Sequence, residues 1–119
     1  MAKLGIGLIG CGNRLRGVVK NVLKNTSEVE VVAIYDPNSE AIQKAKEALN
    51  PSAKAYENYQ DLVKDPNVKW VMIGSWNCFH AEQAIAAFNA GKHVFCEKPL
   101  ALNIEDCLAM RRAWQNCGK

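Results

Sequence analysis

The stretch Ile6–Gly17, IGLIGCGNRLRG, decides the fold. An apolar run breaks at Gly10 and Gly12, as a strand does when it turns through a glycine loop into a helix. In the G-x-G-x-x-G form of that loop the third glycine falls at position 15. Leu15 stands there, and the next glycine is Gly17. The three glycines have separate jobs. The first makes the tight turn, the second lets the backbone approach a pyrophosphate, and the third lets helix and strand pack closely. Helical phase decides how the third job is done. Positions 15, 19 and 23 read Leu, Val, Leu, whereas 17, 21 and 25 read Gly, Asn, Asn. The inward row passes through Leu15, and Gly17 faces outward. Leu15 then holds the helix slightly farther from the strand and leaves the phosphate-facing backbone intact.

Working outward, EVEVVAIYD (28–36), VKWVMIGS (68–75) and KHVFCEK (92–98) are further β-rich runs, and AKAY (53–56) suggests a short edge strand. Their continuous apolarity suits strands buried on both faces of a parallel sheet. Helical segments alternate with them. One stripe is Leu15, Val18, Val19, Val22 and Leu23. Another is Ala81, Ala84, Ile85 and Phe88, closed by Gly91 at C′. SEAIQKAKEALN stops at Pro51 and NYQDLVKD before Pro66. A last helix opens at Asn103 as N-cap, with Asp106 in its third position, and is expected to bury Ile104, Leu108 and Trp114. Alternation of this kind predicts an α/β, doubly wound parallel sheet with right-handed crossovers. In its dinucleotide-binding form, the Rossmann fold, the strand order is 3-2-1-4-5, with ligand at the carboxyl ends near the first and fourth strands.

Composition narrows the function classes. The chain of 119 residues forms one domain, 1–119, and its +3 charge is scattered, so neither nucleic acid nor membrane is an expected partner. Five cysteines, an odd number without C-x-x-C spacing, argue against a disulfide framework and a zinc site. Most are expected to be small buried residues in a reducing, cytoplasmic setting. No metal site is expected.

Asp36 strengthens the glycine-loop reading. It closes the second strand 24 residues beyond Gly12, where a carboxylate accepts hydrogen bonds from a ribose diol. The plainer alternative is that it only starts the turn before Pro37. An acid here disfavours a 2′-phosphate, so NAD is the expected cofactor. Arg14 and Arg16 keep NADP open. Ser75, Trp76, Asn77 and His80 follow the fourth strand, and Glu97 and Lys98 the fifth, all on the ligand edge. A lysine in such a crevice donates a hydrogen bond to a reacting oxygen, and Pro99 stiffens its turn and permits a cis bond. From the residues alone, His80 is equally well a locally satisfied helix residue. Trp76 reads as packing, and Cys11 and Cys96 read as core filler.

AGKHVFCEKPLA (90–101), preceded by the glycine loop and Asp36, resembles the amino-terminal domain of the glucose–fructose oxidoreductase/inositol dehydrogenase family. The resemblance covers essentially the whole chain. It implies an NAD(P)-dependent oxidoreductase acting on a sugar, polyol or related hydroxyl or carbonyl compound. It implies that Gly10, Gly12, Asn13, Arg14 and Leu15 line the diphosphate loop and Asp36 the adenosine ribose. Ser75, Trp76, Asn77 and His80 would lie along the cofactor, Glu97 beside the nicotinamide half, and Lys98 would be the active-site lysine. Leu15 for glycine, and Ser-Trp-Asn where the family often has Thr-Pro-Asn, are departures.

Family members continue into a second α/β domain that supplies most of the substrate pocket. The chain is therefore expected to be an amino-terminal piece that binds NAD, turns nothing over alone, and self-associates through an open fifth strand. A homo-oligomer is the expected native form. A dinucleotide-sensing regulatory module is the alternative function, and a ligand-free adaptor a third. An intact Lys98 favours the enzyme over the sensor, and the pairing of Gly12 with Asp36 speaks against the adaptor.

Overall fold

The computed structural model describes residues 3–119. Five parallel strands carry the chain: β1 (Leu4–Ile9), β2 (Val29–Tyr35), β3 (Lys54–Ala55), β4 (Trp70–Ile73) and β5 (His93–Cys96). Their order is β3-β2-β1-β4-β5, so the direction of winding reverses between β1 and β4. The crossovers are α1 (Asn13–Asn25), α2 (Ser39–Leu49), α3 (Tyr59–Val63) and α4 (His80–Asn89). A single 3₁₀ turn (Asn77–Phe79) precedes α4, and α5 (Ile104–Cys117) follows β5. This is the doubly wound order that the alternating pattern predicts.

Burial divides the core into two layers. One face of the sheet packs Ile6, Leu8 and Val31 against Leu15 and Val19 of α1 and Ala45 of α2. The other packs Ile9, Val71 and Ile73 against Leu62, Ala84, Ala87 and Met110 of α3, α4 and α5. Strands covered on both sides read as continuous apolar runs for this reason. Helix starts follow local chemistry. The side chains of Asn38, Asn58 and Asn103 accept from the amides of Glu40, Asp61 and Asp106, capping α2, α3 and α5. Gly91, at φ 77°, ends α4 as expected of a C′ glycine.

Two expectations fail. Ile104, Leu108 and Trp114 are exposed, and α5 buries Met110 and Ala113 instead. The helix packs against α4 with Met110 and Ala113 buried, and the row Ile104, Leu108 and Trp114 faces away from the core. Among the cysteines only Cys11 is buried; Cys78 is exposed and the other three are partly covered.

The orientation of α5 gives a direct stability test. Met110→Ala should cost about 2–5 kcal/mol by cavity formation, and Ile104→Ala less than about 0.5 kcal/mol, in urea titration. Comparable losses would restore the orientation expected from sequence.

Candidate cofactor site

The carboxyl ends of β1, β2, β4 and β5 lie along one edge, and Gly10 sets how closely the turn after β1 meets the segment after β4. Its φ of 78° is the left-handed conformation that favours glycine. A Cβ there would also lie 2.4 Å from the Ser75 nitrogen and 2.6 Å from its Cα. The β1 turn and the segment after β4 are therefore in backbone contact, and a side chain at position 10 would separate them.

Gly12 differs. Its φ of −69° and ψ of −179° suit any residue, and a Cβ there would meet nothing within 4 Å. It is the N-cap of α1, without a side-chain cap and without an acid in the first turn. The first intrahelical bond runs from the Arg16 N–H to the Gly12 carbonyl. The amides of Asn13, Arg14 and Leu15 precede it and stand free beside the open space over Gly12. Unsatisfied amides and the positive end of the helix dipole suit a phosphate group. A dinucleotide fits these residues, since a Cβ at position 12 would occupy that space.

The missing third glycine has a structural answer. Leu15 is buried, as its phase requires, while Gly17 is exposed with nothing near a Cβ. Across from Leu15 stands Gly74, just after β4. A Cβ on Gly74 would lie 2.7 Å from the Leu15 Cβ and 2.9 Å from its Cδ2. The space usually made by glycine on the helix is made here by glycine on the sheet.

Asp36 faces the glycine loop. Its Oδ2 accepts from the Cys11 N–H at 2.9 Å, and its Oδ1 from the Asn38 N–H at 2.8 Å. Oδ1 thus serves the turn at Pro37, and Oδ2 closes on the glycine loop. The contact pins the end of β2 to the turn after β1. Burial, then the Asp36 charge, pushes the Cys11 thiol up to about 12. It is therefore a protonated, inert residue at neutral pH.

Beyond β4, Ser75 Oγ donates to Gln83 Oε1, and Asn77 is exposed on the 3₁₀ turn. Trp76 is 80 % exposed on the rim, not the packed residue its chemistry suggests. His80, expected along the cofactor, has the locally satisfied surroundings that the residues alone equally suggest. It is buried, with Nδ1 2.8 Å from the Pro99 carbonyl oxygen and Nε2 2.9 Å from that of Ser75. Carbonyls only accept; the neutral ring donates to one of them, and only the doubly protonated ring to both. His80 thus lies between the segment after β4 and the turn after β5, and no ring nitrogen points outward.

That turn carries Glu97 and exposed Lys98, and the Lys98–Pro99 peptide is cis. The Glu97 N–H donates to the Ile73 carbonyl at 2.9 Å, and its Oε2 accepts from Arg14 Nε at 2.5 Å. Sequence reasoning placed both residues at this edge but not in contact, because 83 positions separate them. A groove of about 590 Å³, lined by Lys3, Lys24, Asn25 and Asn50 among others, lies at the opposite edge of the sheet and includes none of these residues.

Residues 4–119 match the model of an oxidoreductase family with an NAD-binding Rossmann fold. The chain belongs to this family. It is 43% identical over 116 residues to inositol 2-dehydrogenase of Salmonella typhimurium, covering 98% of this chain and 33% of that protein. Among solved structures it resembles myo-inositol dehydrogenase from Lactobacillus casei in complex with NAD(H) and myo-inositol. The TM-score is 0.88 at 28% identity, over 98% of this chain and 34% of that one. A further neighbour is biliverdin reductase from Synechocystis in complex with biliverdin and NADP⁺, with TM-score 0.85 and 26% identity, over 98% and 36% of the two chains. The chain spans about a third of the length of the relatives it matches. No helix among the described residues is long and apolar enough to cross a membrane.

The Leu15–Gly74 fit predicts strong coupling. Gly74→Ala should cost about 1–3 kcal/mol by overpacking. In a Leu15→Gly background its added cost should shrink by at least about 1 kcal/mol, measured by urea unfolding. Additive losses would show that the two sites do not compete for space.

Proposed function

We propose that this chain is the NAD-binding domain, 1–119, of a dehydrogenase that oxidises a secondary hydroxyl of an inositol-like polyol or sugar. One observation carries the reading: the free α1 amides, the Asp36 carboxylate and Lys98 converge on a single strand edge at the point where the winding reverses. Ligands of open α/β sheets bind there. Support for the substrate class comes from the names of the relatives, inositol 2-dehydrogenases at 41% and 43% identity.

Each residue then has a task. The amides of Asn13, Arg14 and Leu15 hold the diphosphate over Gly12, with Gly10 setting the turn. Asp36 receives the adenosine ribose hydroxyls. Its oxygens already take one N–H each, and a carboxylate has lone pairs to spare. Ser75, Trp76 and Asn77 border the cofactor on the β4 side, with Glu97 at its nicotinamide end. His80 acts through the two loops that it joins. NAD supplies the hydride acceptor when bound. Lys98 Nζ donates a hydrogen bond to the substrate oxygen and stabilises the charge that grows there, while the hydroxyl proton passes to a general base on the substrate side of the whole protein. The Glu97–Ile73 and His80–Pro99 contacts hold the turn that aims it.

The whole protein is read as a cytoplasmic homo-oligomer. Five free cysteines suit a reducing compartment.

Calorimetric titration tests the cofactor. NAD should bind at least about tenfold tighter than NADP, a difference of about 1.4 kcal/mol. Asp36→Asn should narrow that gap, because a 2′-phosphate would bring about 1.5–2 negative charges against the carboxylate. Equal binding of the two by the native chain would contradict the role given to Asp36.

Catalysis has a separate expectation. Hydride transfer requires a substrate fixed against the nicotinamide ring, and this chain holds only the cofactor side. Assayed alone with NAD and myo-inositol, it should form no NADH above background. Steady polyol-dependent NADH formation would overturn that division of labour.

A further inference from the structure

We propose that Arg14 and Glu97 form a latch across the crevice, opened by the diphosphate of the incoming dinucleotide. The inference rests on the dinucleotide reading and adds an order of events to it. Arg14 follows β1 and Glu97 follows β5, so the ion pair passes over the end of β4, which lies between them in the sheet. Its two halves are unequal. The Glu97 side chain is 14 % exposed and its backbone is tied to Ile73, whereas the Arg14 side chain is 74 % exposed. The carboxylate is the fixed post and the guanidinium the moving arm.

Arg14 also contributes one of the free amides at the start of α1, so a diphosphate held by those amides lies beside the stem of its side chain. Arg16, the other cation on this turn, is occupied by the side chain of Asn13. A guanidinium presents a planar fork of donors that matches phosphate oxygens in pairs. A partly exposed ion pair contributes only about two- to fivefold to an equilibrium, so the exchange of Glu97 for diphosphate is open to Arg14. Once the arm swings, Glu97 has lost its cation and is left, in place, to meet the nicotinamide half. The carboxylate beside Lys98 thereby becomes available only when the diphosphate is seated.

Titration calorimetry with ADP and NAD separates the steps. ADP must open the latch but has no nicotinamide half to engage Glu97. Glu97→Gln should therefore tighten ADP binding about two- to fivefold, without tightening NAD. Arg14→Ala should weaken both ligands, and in that background Glu97→Gln should no longer change ADP affinity. Unchanged ADP affinity in Glu97→Gln would overturn the latch. Equal tightening in both backgrounds would overturn it too, since that is plain charge repulsion. Thermal melting by circular dichroism checks folding, and Glu97→Ala replaces Glu97→Gln if the latter does not fold. A native chain that binds neither ADP nor NAD would instead refute the dinucleotide reading beneath the latch.

Discussion

Backbone contact between Gly10 and Ser75 is the constraint on which the rest depends. Two strand ends meet there with no room for a methyl group. The contact is possible only because residue 10 takes a left-handed conformation and carries no side chain. With that distance set, α1 begins over the switch point, its uncapped amides face open space, and Leu15 descends onto Gly74. The next two strand ends are brought in by polar contacts, Asp36 on the Cys11 amide and His80 between the Ser75 and Pro99 carbonyls. Apolar packing builds the two layers, and a few backbone-directed bonds align their common edge.

The order of elements was legible because it is written locally. A parallel strand covered on both faces must be apolar throughout, and helices between such strands carry a 3.6-residue period with asparagine or glycine at their ends. The inward turn of Leu15 was legible from phase alone. Its accommodation was not, because Gly74 reads in sequence only as the end of a strand. A glycine whose purpose is to make room for a residue on another element leaves no local mark.

The same limit explains the misjudged face of α5. Large apolar residues at helical spacing suggest an inward stripe. The helix is seated with Met110 and Ala113 buried, its inward face set by how it packs on α4 and not by the size of its apolar residues. At the site, the residue types and their common edge followed from motif and topology. The Arg14–Glu97 pair and the place of His80 between two carbonyls did not, since both involve segments that meet only when the sheet is assembled. Where sequence suggested a turn or a ribose contact for Asp36, one oxygen serves the turn while the other faces the loop.

A crystal of this chain soaked in excess NAD examines the central claim most directly. The account predicts diphosphate density over Gly12 within hydrogen-bonding distance of the α1 amides, with the adenosine ribose hydroxyls on Asp36. Density elsewhere, or an empty crevice with Asp36 still closed on Cys11 and Asn38 alone, would contradict it.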